Sequence, residues 1–376
     1  MNFFVSLTIL PLYVMELGGS EFHSGLQSTL FFLAAVLLRL YFGPLADSKG
    51  RKLPLLIGAF VFATSPLLFL YSTSILSLAL ARIYQAIGLA TFLSSGSSLV
   101  ADMAPAEKTG SYIGKYRVLI NVALLAGPAM ALAIISSRGY HSWFIISALM
   151  GALALGLLLF VKAPPLPPVD AANPLEQMAF IRKNRQILWA LGGVALTSLG
   201  YGIIITFTSI YIERGAFLAN AGIYFTLLGL GGIAANLTAG LLVDRLSPAA
   251  IAWPSIMLLG AGIAFLLLVP GAPLFFLILS SLLAGMGYSG ALVALITWLV
   301  EAAGPKARAT TLAFQESTID LSIAVGTFFF GISGSLLGLP VSFGLAGLLI
   351  FLAALKFFLT ASSKTASSPP PSSSTG

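Results

Sequence analysis

Four ionisable side chains lie inside long apolar runs of this chain: Arg39, Arg82, Glu316 and Asp320. A charge in apolar surroundings is expensive, so residues of this kind pair, reach water or serve a function. Glu316 and Asp320 stand four residues apart, which puts both carboxylates on one face of a helix. Two carboxylates that close in a low dielectric do not both ionise easily, and such a pair can take up and release a proton. Arg82 is a permanent cation with no acidic residue in its own run, so it needs an anionic group or backbone carbonyls as partners. The chemistry the carboxylate pair offers is proton transfer. There is no cysteine, and the two histidines, His23 and His141, fall in expected loops. With no His-Glu-x-x-His, no thiol and no acidic cluster beyond Glu316 and Asp320, no metal or cofactor is expected.

The elements that hold these charges follow from composition. The 376 residues are 58% apolar and only 8% charged, with a mean hydropathy of +1.00. Soluble domains carry about 25% charged residues. So much apolar surface points to lipid as the solvent and to helices as the spanning elements. Apolar runs predict twelve membrane helices near 2–17, 25–46, 53–72, 75–101, 113–136, 142–162, 186–212, 219–243, 250–270, 273–300, 309–335 and 339–360. The first is short, begins at the initiator and carries Pro11, which favours an N-terminal segment beyond Met1.

The net charge of +7 could suggest a nucleic-acid partner. The basic residues sit in short loops, not in a stripe, so none is expected. Lys49, Arg51, Lys52, Lys108, Lys115, Arg117, Lys162, Arg182, Lys183, Arg185, Arg245, Lys306, Arg308, Lys356 and Lys364 fall on one side, fifteen of the 19 Lys and Arg. Arg138 and Arg214 fall on the other. This asymmetry predicts a multi-pass protein of the cell membrane with both termini cytoplasmic.

Residues 1–162 and 186–360 read as two six-helix halves. A Pro-rich and basic linker, 163–185, joins them, and 361–376 is a Ser/Thr/Pro-rich tail expected to be disordered. Leu99-Val100 with Pro105 and Lys108 recurs as Leu299-Val300 with Pro305 and Arg308. Two like repeats in the same orientation are the pattern of transporters built from parallel halves.

Gly43, Asp47, Gly50, Arg51 and Lys52 form a charged, glycine-punctuated hairpin after the second helix. Gly240, Asp244 and Arg245 echo it after the eighth. This segment resembles the loop motif of the major facilitator superfamily, Gly-x-Leu-Ala-Asp-x-x-Gly-Arg-Arg/Lys. Arg82 to Gly88 resembles the family's Arg-x-x-Gln-Gly-x-Gly, with Ala86 replacing a glycine. Gly127-Pro128 resembles the core of the antiporter motif, although Ala131 and Leu132 stand where two glycines are expected. Gly200-Tyr201-Gly202, Gly285 to Tyr288 and Ile319 to Leu321 are similar to sugar-efflux-like and metallophore-efflux-like permeases.

The resemblance implies an all-α membrane protein with twelve helices in two pseudo-symmetric halves. It implies secondary active transport of a small organic solute by alternating access, with the hairpin as a latch between the halves. Proton-coupled export of a drug, sugar or metallophore-like solute is the expected mode; uptake or uncoupled facilitation is the alternative. A polytopic enzyme or a transport-inactive receptor is a remote one. The partners are a small-molecule substrate, protons and the bilayer, and the chain is expected to be a monomer.

Counted from the helix ends, Arg39 lies about 12 Å and Glu316 about 10 Å from the basic side. Helices two and eleven are neighbours in this fold, so Arg39 is expected to pair with Glu316 as an inner gate. Asp320 is the expected proton-coupling residue, and Arg82 its charged counterpart. Tyr13, Gln85, Asn121, Tyr201, Thr206, Asn236, Tyr288 and Gln315 are the polar helix positions from which a substrate cavity would be lined.

Overall fold

The computed structural model describes residues 2–103, 109–162, 174–243 and 245–365, with some side chains inside these ranges left undescribed. The described residues form helices joined by short turns. The helices are α1 (Asn2–Glu16), α2 (Glu21–Lys49), α3 (Lys52–Leu70), α4 (Ile75–Met103), α5 (Thr109–Leu159), α6 (Pro174–Lys183), α7 (Arg185–Gly215), α8 (Gly222–Val243), α9 (Pro248–Phe265), α10 (Pro273–Leu337) and α11 (Leu339–Thr365).

Two of these helices are too long for one crossing. Helix α5 has 51 residues and breaks at Gly139, whose φ of 76° and ψ of 170° only glycine adopts easily. Helix α10 has 65 residues, about three bilayer thicknesses at 1.5 Å per residue. Its contacts along α7 show a reversal. A Cβ on Gly193 would lie 2.6 Å from Leu295, and further along α7 Tyr201 stacks on Tyr288. Meanwhile Gly202 faces Ile323 and Phe207 meets Phe330. As α7 is climbed, the numbers fall in one arm of α10 and rise in the other, so the arms are antiparallel. Ten segments are long and apolar enough to cross a membrane, one of them Ala126–Leu159, and Asn2–Glu16 is a shorter apolar helix. Counting the two arms of that broken segment separately and adding α1 gives the twelve helices of the expected fold.

The ends of the bundle are told apart by their contacts. At the basic end Lys52 donates to Leu159 O at 3.0 Å, and Arg51 Nε lies 3.6 Å from Asp102. At the opposite end the Tyr13 hydroxyl donates to Ser72 O at 3.1 Å. In lipid, helices associate by close packing instead of hydrophobic exclusion, and small residues permit it. A Cβ on Gly285 would lie 1.9 Å from Leu228 O, and one on Gly287 2.3 Å from Leu259 N. Gly285→Leu should therefore force α8 and α10 apart at a cost of about 3 kcal/mol or more. The expected result is a large fall in melting temperature and in monodisperse yield. Gly192→Ala, where a Cβ meets nothing within 4 Å, should leave both unchanged or slightly raised.

Two local expectations change. The chain from 43 to 49 is not a loop, because α2 runs on to Lys49 and the reversal is confined to Gly50, at φ 90°. The linker is not wholly irregular either. It contains α6, and Asn184 then caps α7 by accepting from the Gln186 and Ile187 amides, the role a short polar side chain fills at a helix start.

Candidate functional site

The halves meet along a seam between α2 and the second arm of α10. Near the end opposite the basic one, a Cβ on Gly25 would lie 2.3 Å from Thr327 O and one on Gly331 would lie 3.0 Å from Glu21 O. The Thr29 hydroxyl donates to Ala324 O at 2.9 Å, and Ser209 donates across to Thr8 O at 3.0 Å. Arg214 at the end of α7 forms an ion pair with Glu21 at the start of α2. A Cβ on Gly222 of α8 would lie 2.4 Å from Ala129 of α5. These contacts close the molecule at that end. The sequence reading missed the Glu21–Arg214 pair because both residues flank expected loops, where a charge attracts no notice.

Further toward the basic end, Arg39 Nη2 lies 2.7 Å from Asp320 Oδ2 across the seam, with both side chains largely buried. The expected partner of Arg39 was Glu316, which is instead exposed. The reason lies in side-chain direction. Continuing the register set by Gly25–Thr327 and Thr29–Ala324 does place the Arg39 backbone nearer Glu316 than Asp320. However, helical side chains lean toward the N-terminus of their own helix. In antiparallel helices Arg39 therefore leans away from the basic end while Asp320 leans toward it, and the two converge. Glu316 leans further toward the basic end, away from Arg39. Among the described residues, Arg39 Nε and Nη1 are buried without hydrogen-bond partners.

Arg82 is fully buried in the first half. Its Nε donates to Gln27 Oε1 at 2.8 Å, its Nη1 donates to Gln85 Oε1, and its guanidinium carbon lies 3.9 Å from the centroid of the Phe31 ring. Gln85 in turn donates to Ser6 at 3.0 Å. No carboxylate faces this cation among the described residues, and its Nη2 has no partner. Gln27 was not among the expected site residues, although it is a lone amide in an apolar stretch. Replacing Arg82 with Met should abolish transport while leaving the protein folded, because the change removes a buried, unneutralised cation. A melting temperature within a few degrees of wild type together with lost solute uptake in liposomes is the expected pair of results.

The other expected positions are scattered. Tyr13 packs against Tyr140 and Phe144, tying α1 to α5 near the end opposite the basic one. Gln85 is engaged by Arg82. Thr206 and Gln315 are buried, the hydroxyl of Thr206 without a partner among the described residues. Tyr201 and Tyr288 stack, with centroids 3.8 Å apart and ring planes within 9°. Gly240 lies within α8, and Arg245 is exposed just beyond it. Asp244, the surroundings of Gly43, and the side chains of Asp47 and Asn121 lie outside the described residues.

The described residues form a multi-pass helical bundle of two halves with an ion pair across the seam. The Major Facilitator Superfamily model matches residues 1–248 and 215–375, and the chain belongs to that family. It is 25% identical over 284 residues to the multidrug resistance protein MdtG of Proteus mirabilis, covering 72% of this chain and 69% of the relative. It is also 25% identical over 362 residues to the uncharacterised MFS-type transporter YtbD of Bacillus subtilis, covering 92% and 88%. Among solved structures, a bacterial homologue of the human lysosomal transporter Spinster, inward-facing and unoccupied, superposes with a TM-score of 0.77 at 16% identity. That match covers 99% of this chain and 95% of the other.

Proposed function

We propose that this transporter exports a small organic solute in exchange for protons, with the Arg39–Asp320 pair as the coupling element. The observation that carries the reading is that a titratable carboxylate is itself a cross-half contact. A proton on Asp320 removes the charge that holds Arg39, so protonation and separation of α2 from α10 become one event. Solute binding and release then exchange with proton binding as the halves rock about a site near the middle of the bilayer. Arg82 is the second charged centre, with a free Nη2 for an anionic or hydrogen-accepting group. The multidrug resistance name of one relative supports export. The side to which Lys52, Arg51 and Arg185 belong is the cytoplasmic one on this reading, and both termini lie there. The hairpin at Gly50 and Arg51, with its echo at Arg245, is the latch on that side.

The test is proton flux from purified protein in liposomes containing a pH-sensitive dye, screened against drugs, sugars and amino-acid-derived metallophores. Solute-driven flux is expected for at least one class. Equilibration of labelled solute with no proton movement would replace export by facilitation, the mode favoured by Ala131 and Leu132 in place of the antiporter glycines.

A further inference from the structure

Midway along the second half, α8 and the first arm of α10 leave a small cleft between them. It is lined by Gly229, Gly232 and Asn236 on one side and by Tyr288 and Ser289 on the other. Its interior leaves about 20 Å³, room for a single water molecule or one small substituent. The cleft exists because Gly232 has no side chain: a Cβ there would lie 2.6 Å from Ser289 Oγ.

Two of the polar side chains there, Asn236 and Ser289, have no side-chain hydrogen bond among the described residues. Hydroxyls in these helices commonly donate back along their own helix, as Ser281 does to Ile278 O at 2.9 Å. Ser289 makes no such bond among the described residues, and neither does the Asn236 side chain make any. In a bilayer, where polar groups must be satisfied internally, two partnerless polar side chains beside accessible space are costly unless something visits them. Next to them stands the half-buried ring of Tyr288, held flat by Tyr201 of α7 on one face. Tyr201 and Asn236 lie in the interior of α7 and α8, and Tyr288 lies midway along the first arm of α10, Pro273–Ala303. Among the described residues, no charged one lines the cleft.

We propose that this cleft is a substrate subsite for a planar heteroaromatic ring whose edge carries uncharged donors and acceptors. The ring lies against Tyr288, backed by Tyr201, and one edge substituent enters the cleft to meet Asn236 and Ser289. Stacking supplies affinity that tolerates many ring systems, and the notch sets the orientation of the edge. This assignment rests on the export reading for its place in a transport cycle, but its binding chemistry is independent of protons.

The experiment is equilibrium binding of lumichrome, a neutral fluorescent tricycle, to the full chain in lipid nanodiscs without a pH gradient. Wild type should quench its fluorescence on binding. Tyr288→Leu should weaken binding about tenfold or more, while Tyr288→Phe stays within about twofold of wild type because the ring survives. Asn236→Leu should cost about fivefold. Melting temperatures of the three variants, expected near wild type, separate a lost site from a lost fold. The subsite is overturned if wild type does not bind lumichrome, or if Tyr288→Leu and Asn236→Leu bind it as wild type does. Proton flux driven by a non-aromatic solute, with no lumichrome binding, would remove the subsite and leave export standing. Lumichrome binding that follows the expected order of variants, with no solute-driven flux, would keep the subsite and remove proton coupling.

Discussion

Asp320→Asn should reduce solute-driven proton flux to the background of empty liposomes while labelled solute still equilibrates across the membrane. Asparagine nearly matches the shape of aspartate and, like the protonated acid, leaves Arg39 without a counter-charge, so the halves can still part and solute can still cross. What it lacks is a proton that comes and goes. Asp320 is 5% exposed and pairs with Arg39 from the other half, so its charge state decides whether the seam is held by an ion pair or only by packing. Glu316, one turn away and exposed, should tolerate Gln with little change in flux. The contrast between these two substitutions is the functional counterpart of the pairing geometry. Unchanged proton movement in Asp320→Asn would return Asp320 to a structural role.

Arg39→Met should destabilise the protein by about 3 kcal/mol, because it leaves a buried carboxylate without its partner. The loss should shrink in acidic buffer, where Asp320 can be neutralised by a proton. Arg39→Met combined with Asp320→Leu should recover most of the loss, since both charges leave together and apolar groups fill the seam. Transport in the double variant should be absent even so. Melting temperatures of the two singles and the double close a thermodynamic cycle. Additive effects would show that Arg39 and Asp320 do not depend on each other.

Much of the fold was legible in the sequence because lipid imposes one rule on every segment: an apolar stretch of about 20 residues must be a helix. The twelve spans, the repeat at an offset of about 200 and the family motifs followed from that rule and from glycine, proline and charge placement. The boundaries that differed have local causes. Helix α2 runs through the motif to Lys49 because Gly50 alone makes the turn, and α6 forms inside the linker from Pro174, the last of its prolines.

The site was less legible. Arg39, Arg82 and Asp320 stood out as charges in apolar runs, but their partners depend on tertiary direction. The Arg39–Glu316 expectation used backbone depth and omitted the opposite lean of side chains on antiparallel helices. Gln27 and Ser6, which complete the cradle of Arg82, carry no sequence signal beyond being polar. Tyr13, an expected cavity position, has ring contacts that join α1 to α5, and its sequence neighbours carry no sign of them. The stacking of Tyr201 on Tyr288 joins residues 87 positions apart in the chain, and no periodicity announces it.

The central claim is that a proton on Asp320 releases the contact between the halves. The chain has no cysteine, so two introduced thiols carry spin labels without background. Leu37 on α2 and Leu321 on α10 are exposed and suit labelling in nanodiscs. The distance distribution between them, measured in acidic and in alkaline buffer, tests the claim directly. Wild type should shift between a short and a longer distance, and Asp320→Asn should hold one distribution in both buffers. A wild-type distance that ignores pH, or an Asp320→Asn protein that shifts as wild type does, would contradict the claim.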